Sequence, residues 1–501
     1  MLNGRMAYIF YYPYLKNLNK MKTTIPIKQN NGYIKYHYDI NHKMLLLTHP
    51  IITMITQNNI GPSVTSDDLK YYENKLEFLK RNGFYSDTYK ETVLDGELSP
   101  MLVESLVENI NHIVFEVTDD CNLKCKYCGY GDLYYDHDDR NKKYMSISTI
   151  KNFMSYLYPY LKKSIGVLYF SFYGGEPLLN MKLIEKTVDY LESMFPNRPI
   201  HFAMTTNGIL ISKYIDYLEN KKFRLLVSFD GDKYNHSYRT FPDGTNSFDV
   251  LYSNIKLVKE NHSQYFNEYV SFNTVIHNRN NIIDVEKFFL REFGKIPRYS
   301  PLDDSGIRPE KMNEFINMYN NMYEHLGKNN TTEAEINNRF IKDPFVFRLS
   351  VFMKEKLKYT NYDYYEDINA SRIRHVTPGG SCLPFQKKIF LTVNDKILPC
   401  ERIDQQYVLG TIKNDKVLMD FTNVSEFYNN IYRKMRKICS SCYRSGSCSQ
   451  CFFQIEHLNK QNMCPAFANI NRLSNEISKT IEFAEDNPGI VYRIINEVVL
   501  R

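Results

Sequence analysis

From residue 112 to residue 302 short apolar runs alternate with helical stretches, and this regularity constrains the fold more than any other feature of the 501-residue chain. The runs cover residues 112–117, 166–173, 200–206, 224–229, 269–277 and, more weakly, 296–302. Between them, Ile147, Ile150, Phe153, Leu157 and Leu161 recur at helical spacing after Ser146, and helical stretches follow at 181–194, 212–220, 248–260 and 282–293. Parallel strands need crossover connections, and helices at each gap supply them. The pattern therefore predicts an α/β fold with a parallel sheet and helices outside.

Directly after the first run comes a Cys-x3-Cys-x2-Cys loop formed by Cys121, Cys125 and Cys128. A structural zinc site wants four closed ligands, whereas three thiolates on a four-iron four-sulfur cluster leave one iron open to another ligand. With Asn122, Leu123 and Tyr127 the segment reads Cys-Asn-Leu-x-Cys-x-Tyr-Cys and resembles the radical S-adenosylmethionine (radical SAM) enzymes. The resemblance implies a partial (βα)6 TIM-type barrel with this loop after its first strand. It also implies S-adenosyl-L-methionine as cofactor, its amino and carboxylate groups chelating the open iron.

Active sites of parallel barrels lie at the carboxyl ends of the strands. Gly174, Gly175, Glu176 and Pro177 follow the second strand and resemble the family's Gly-Gly-Glu-Pro segment. There, small residues would let backbone approach the methionine and Glu176 would accept from its ammonium; a Gly-Gly turn ended by proline is the plain alternative. Asn207 follows the third strand, and Ser228, Asp230 and Gly231 the fourth, with His236 and Arg239 beyond. By resemblance, Ser228 and Arg239 hold the methionyl carboxylate or ribose and Asn207 assists, with Asp230 in the same cofactor set. Tyr127, Asn273 and Val275 are candidates for the adenine and ribose pocket, against a reading as core.

The other seven cysteines lie between Cys382 and Cys464. Cys439-x2-Cys442-x5-Cys448-x2-Cys451, with Cys382 and Cys400 before and Cys464 after, resembles the SPASM extension of radical SAM peptide-modifying enzymes, which binds two auxiliary four-iron four-sulfur clusters. Two residues rather than three separate Cys448 from Cys451, Asp395 stands where a glycine is usual, and an eighth cysteine is missing. The family's pairing assigns Cys439, Cys442, Cys448 and Cys464 to one cluster and leaves Cys382, Cys400 and Cys451 for the other, with one corner for a substrate thiolate, a water or another side chain. A zinc ribbon and disulfides are the competing readings.

Residues 1–105 precede the barrel (106–328), and a helical bridge (329–379) with an aromatic-rich stretch at 359–365 leads to the SPASM region (380–501). In the first segment, 33–40 and 43–48 form a candidate hairpin, followed by a short helix near 51–56. A second helix begins at Thr65 or Ser66, striped by Leu69, Tyr72, Leu76 and Leu79 and stopped at Gly83. Strands followed by helices in this order resemble the winged-helix module that precedes many peptide-modifying radical SAM enzymes and takes a precursor's leader as an added strand; an amphipathic cap over the barrel is the alternative. An amphipathic helix around 467–483 is expected as a lid on the clusters.

A net charge of +6, from 63 basic and 57 acidic residues, is too balanced to argue for nucleic acid. Arg433, Lys434, Arg436, Lys437 and Arg444 crowd beside Cys439, a solvated helix face by default but also a surface for an electron donor of flavodoxin or ferredoxin type. No signal segment opens the sequence and no run approaches the roughly 18 apolar residues of a membrane span, so the expectation is a reducing cytoplasm and no membrane.

By family resemblance, an electron delivered to the barrel cluster cleaves S-adenosylmethionine, and the resulting 5′-deoxyadenosyl radical removes hydrogen from a peptide carbon. An auxiliary cluster accepts the electron left after ring closure. The expected function is a maturase that installs an oxidative crosslink, thioether or carbon–carbon or carbon–oxygen, in a ribosomally synthesised precursor peptide. An anaerobic sulfatase-maturating, formylglycine-forming enzyme is the runner-up, and an iron-sulfur carrier or zinc scaffold without turnover the reading from another class. Glu401, next to Cys400, is the carboxylate whose location suggests a catalytic base.

Overall fold

The computed structural model describes residues 23–29, 32–42, 44–86, 94–320, 336, 337, 339–356, 377–445, 448–455 and 464–498. Three strands open it, β1 (Thr24–Lys28), β2 (Ile34–Asp39) and β3 (Met44–Leu47), then helices α1 (Pro50–Thr56), α2 (Ser66–Arg81) and α3 (Pro100–Glu108). The central part runs β4 (His112–Thr118), β5 (Lys124–Cys125), α4 (Ile147–Leu161), β6 (Leu168–Gly174), α5 (Met181–Met194), β7 (Ile200–Thr206), α6 (Ile211–Asn220), β8 (Arg224–Ser228) and β9 (Arg239–Thr240). It continues with α7 (Phe248–Asn261), α8 (Ser263–Tyr269), β10 (Val270–Ile276), α9 (Ile282–Phe293), β11 (Arg298–Pro301) and α10 (Met312–Met318). The last part holds α11 (Pro344–Lys356), β12 (Ile389–Leu391), β13 (Lys396–Leu398), β14 (Gly410–Lys413), β15 (Lys416–Leu418), α12 (Phe421–Cys439), α13 (Ile470–Asp486) and α14 (Pro488–Glu497).

Strands β4, β6, β7, β8, β10 and β11 are neighbours in that order and parallel throughout, as the alternation requires. Local chemistry sets the helix starts: Ser146 accepts from the Thr149 amide and Asn281 from Asp284, while Gly294 ends α9 in the left-handed conformation. One strand face carries Ile113, Phe115, Val117, Phe170, Phe172, Phe202, Val227 and Phe272 into a core with Ile150, Phe153, Val188 and Phe289 of the helices. Burying each such side chain contributes about 1.5–3 kcal/mol. The opposite face carries His112, Glu116 and Tyr173, because side chains alternate along a strand.

The sheet does not stop at β4. β12 pairs with it in parallel, Ile389 opposite Ile113, and β13, β14 and β15 follow antiparallel, making ten strands in one sheet among the described residues. Three-residue runs carry almost no periodicity, and the edge they complete lies some 270 residues away in sequence, so only long-range pairing decides them.

The N-terminal strands form their own antiparallel sheet, with β1 added to the expected hairpin. Its apolar face is not self-sufficient: Ile25, Ile27 and Tyr38 share a core with Val346 and Leu349 of α11, Leu473, Ile477 and Ile481 of α13, and Ile490 and Ile494 of α14. The helix expected as a cluster lid thus covers the N-terminal sheet with its stripe, and Ser474 Oγ donates to the Pro26 carbonyl at 3.0 Å. The segment entering it reaches a cysteine, the Ala468 amide lying 3.4 Å from Cys442 Sγ. Residues 94–108 lean the other way, onto α12, where Asn429 accepts from the Leu98 amide at 2.8 Å and donates to its carbonyl at 2.9 Å. Of the expected bridge, the stretch 359–365 lies outside the described residues.

Candidate active site

Cys121, Cys125 and Cys128 lie half-buried on the loop leaving β4. Pairing of β5 with β9 sets Cys125 opposite Arg239, whose Nη1 is 3.9 Å from its sulfur. Asn207 Nδ2 is 3.8 Å from Cys121 Sγ, and Arg140 Nη2 is 3.0 Å from Cys128 Sγ. Each sulfur therefore faces an N–H donor from a different segment, two of them cationic, which fits thiolates bearing an anionic group. Burial pushes the Cys121 thiol up to about 11 and Cys125 to about 12, so a metal must displace their protons. All ten cysteines are unpaired. Among the described residues no three His, Cys, Asp or Glu side chains converge as around one ion.

The glycines after β6 answer to this loop. A Cβ on Gly174 would lie 2.0 Å from the Thr118 carbonyl oxygen and one on Gly175 2.1 Å from that of Asp120. The Gly175 amide donates to Thr118 at 2.9 Å and the Glu176 amide to Asp120 at 2.8 Å, so the close approach is of two backbones. The Glu176 carboxylate is fully buried and accepts from Thr206 Oγ1 and the Asn207 amide, both at 2.7 Å, and from the Leu178 amide at 3.1 Å. Burial raises its pKa to about 7 against those bonds. Pro177 opens a short 3-10 turn. Asn207 donates to Asn122 Oδ1 at 2.7 Å, tying the end of β7 to the cysteine loop.

Asp230 is the centre of the next group. Its carboxylate, closed to solvent, accepts from Arg239 Nε at 2.9 Å and Nη2 at 3.2 Å, from the Val275 amide at 3.0 Å and from the Tyr127 hydroxyl. Burial alone would raise its pKa; the Arg239 guanidinium outweighs burial and holds it well below the usual range. Arg239 also lies over the Tyr127 ring, 5.2 Å from its centroid. Ser228 ends β8 opposite Asn273, whose Oδ1 accepts from Ser300 Oγ at 2.9 Å. His236 is buried against Phe229, its Nε2 3.1 Å from Ser247 Oγ, a neutral histidine whose pKa burial lowers to about 3.

Cys439 lies in the field of Cys442, Cys448 and Cys464, and burial with these neighbours pushes its thiol up to about 12. Cys382 is carried beside Cys451, because the Gly380 amide donates to the Gln450 carbonyl at 3.0 Å and the Phe452 amide to Ser381 Oγ at 2.6 Å. Cys400 follows β13, burial pushing its thiol up to about 12. The buried Tyr428 phenol lies in the field of Cys451, Cys382 and Cys400. Glu401 is taken up by Lys388, whose Nζ donates to both carboxylate oxygens at 2.8 and 3.0 Å. Burial would raise the Glu401 pKa, but the ammonium prevails and holds it below the ordinary value, which makes it a weaker proton acceptor. The basic residues near Cys439 are partly neutralised: Arg433 pairs with Glu97 and Glu426, and Arg444 with Glu476.

Two features escape sequence reasoning. Glu116, 1% exposed, accepts from the Tyr130 hydroxyl and from the Val393 amide at 2.9 Å; its signal was an acid inside the apolar run His-Ile-Val-Phe-Glu-Val-Thr. Arg140 had no signal at all.

A three-cysteine loop thus stands at the carboxyl end of the first strand of a parallel α/β sheet, the end at which active sites of parallel barrels lie. Residues 115–291 match the radical SAM superfamily, and this part of the chain is a radical SAM domain, whose family cofactors are S-adenosylmethionine and a four-iron four-sulfur cluster. The radical SAM cyclopropyl synthase TigE of Paramaledivibacter caminithermalis is 28% identical over 237 residues, 44% of this chain and 47% of that protein. The chain thus spans about half the length of this curated relative. A cysteine-type anaerobic sulfatase-maturating enzyme of Clostridium perfringens (strain ATCC 13124) is 26% identical over 345 residues, 66% of this chain and 86% of that one. The solved structure of native anSMEcpe with bound AdoMet and Kp18Cys peptide is 20% identical, with 77% of this chain and 99% of that chain covered at a TM-score of 0.48. Among the described residues no helix is long and apolar enough to cross a membrane.

Proposed function

We propose that the protein is a radical SAM maturase that crosslinks a ribosomally synthesised precursor peptide, with a SPASM-type C-terminal region. The observation that carries this reading is the continuous sheet: β4, which leads into the Cys121 loop, pairs directly with β12, whose hairpin partner β13 leads into Cys400. In this reading the sheet carries the Cys121 loop past the carboxyl end of β4 and Cys400 past the opposite end, and the peptide lies between the two clusters.

In this reading Cys121, Cys125 and Cys128 hold the barrel cluster. Cys439, Cys442, Cys448 and Cys464 hold one auxiliary cluster, and Cys382, Cys400 and Cys451 the other, with one iron open to a substrate group. When bound, the barrel cluster and S-adenosylmethionine supply hydrogen-atom abstraction from an unactivated carbon. The protein's part is positioning. Asp230 orients Arg239 and Tyr127 toward the cofactor, Asn207 and the Ser228 hydroxyl offer polar contacts, Val275 lines the pocket, and Gly174 to Pro177 brace the cysteine loop. Glu401 serves as the ion-pair partner that fixes Lys388 beside Cys400 rather than as a free base.

The N-terminal sheet supports leader binding. The Thr48 amide donates to the Lys35 carbonyl at 3.0 Å, and bonded pairs alternate along an antiparallel ladder, so Leu45 and Leu47 turn their backbone groups away from β2. Among the described residues nothing bonds to them from outside the sheet. At the other edge Pro26 lacks an N–H, and Ser474 and Ser478 of α13 donate to the Pro26 and Lys28 carbonyls. The open β3 edge is the one that accepts a strand. Ten unpaired cysteines suit a reducing cytoplasm, with the electron drawn from a flavodoxin- or ferredoxin-type donor.

The match to a sulfatase-maturating enzyme over 86% of that protein favours a second reading, oxidation of one Cys or Ser to formylglycine. Anaerobic co-expression with a short peptide encoded beside this chain separates them: loss of two hydrogens from the peptide's mass supports crosslinking. An unmodified peptide, together with formylglycine in a sulfatase-derived Cys peptide, replaces it with the second reading.

A further inference from the structure

Beyond Cys128 the chain forms a strap, residues 129–144, pinned at its return to the cysteine loop and clamped in the middle to the C-terminal hairpin. Asp119 accepts from the Asn141 and Lys143 amides at 2.9 and 2.6 Å. Asp138 accepts from Lys396 Nζ at 2.6 Å and Asn394 Nδ2 at 2.9 Å, and its amide donates to Gln405 Oε1 at 3.1 Å. Between these anchors Arg140 turns inward. Its Nη2 lies 3.0 Å from Cys128 Sγ and its guanidinium 5.1 Å from the centroid of the Tyr130 ring, while Nε is buried with no acceptor among the described residues. Tyr130 is held by Glu116, whose second oxygen takes the Val393 amide of the same hairpin.

A buried cationic donor left without an acceptor is costly, and an anionic cluster on the neighbouring sulfurs would supply one. Hydrogen bonds and positive charge at cluster sulfurs favour the reduced form and raise the potential. We propose that Arg140 sets the reduction potential of the barrel cluster and that the docked C-terminal hairpin holds it in place through the strap. The inference rests on the reading of Cys121, Cys125 and Cys128 as cluster ligands. It makes Arg140 a positioning residue that tunes how readily the cluster accepts one electron from its external donor.

The test uses the full chain reconstituted with iron and sulfide without oxygen. Electrochemical titration is followed by EPR, the barrel cluster being recognised by the change that S-adenosylmethionine induces in its signal. Arg140→Gln is expected to lower the reduction equilibrium constant of that cluster about tenfold, a shift of about 59 mV to more negative potential, with the auxiliary signals unmoved. Arg140→Lys, which keeps the charge, is expected to shift it less. Lys396→Gln leaves Arg140 intact but loosens the strap at Asp138; a shift in the same direction is expected, and this variant decides the matter if Arg140→Gln does not take up its cluster. An unmoved potential in Arg140→Gln, or in Lys396→Gln where the former does not load, overturns the inference. Wild-type protein with no cluster responsive to S-adenosylmethionine overturns the underlying reading and this inference together.

Discussion

Asp230 and Arg239 face each other in the protein interior, Nε to Oδ2 at 2.9 Å, with side chains 0% and 9% exposed. Removing one partner of such a pair strands a buried charge, at a cost of about 3–5 kcal/mol. Arg239→Met is therefore expected to lose about that much stability in urea unfolding. Asp230→Asn paired with Arg239→Met in one chain should recover much of it.

Glu176 makes stability depend on pH. Its folded pKa of about 7 stands above the ordinary 4.5, so between those values the folded state holds a proton the unfolded state lacks. The group's contribution is complete below about pH 4.5 and is lost as pH rises through 7, at about 1.4 kcal/mol per unit. The stability of wild type relative to Glu176→Gln should therefore fall by that slope as unfolding is measured at rising pH across this window.

Gly175→Ala isolates the backbone contact under the cysteine loop. Its added Cβ meets the Asp120 carbonyl oxygen at 2.1 Å, and backbone cannot yield as a side-chain tip would. Anaerobic reconstitution is expected to return less iron per chain by about one cluster, with far-UV circular dichroism unchanged.

Leu47→Pro removes an N–H that points away from β2, so the sheet should survive. A leader docking as a strand on β3 needs that donor. Fluorescence anisotropy with a labelled precursor peptide is expected to show at least a tenfold loss of affinity, whereas equal affinity in both proteins would remove the strand-addition mode.

Much of this was legible in the chain itself. The six parallel strands and their helices were readable because each alternation is local, and the capping residues Ser146 and Asn281 mark their own helices. The three-cysteine loop was readable because its spacing needs no partner. Glu176 was found for a motif, yet its observed bonds to Thr206 and Asn207 join two strand ends that sequence leaves independent.

What only the tertiary structure decided concerns pairing between distant segments. Addition of β12 to the edge of β4, the N-terminal sheet's dependence on α13, the capture of Glu401 by Lys388 and the placing of Arg140 on Cys128 all join residues without a shared period. Hydrophobic periodicity tells which face of an element is buried, and turn and cap chemistry tells where it ends. Which surface meets that face depends on the free energy of the whole packed arrangement, to which no short stretch of sequence corresponds.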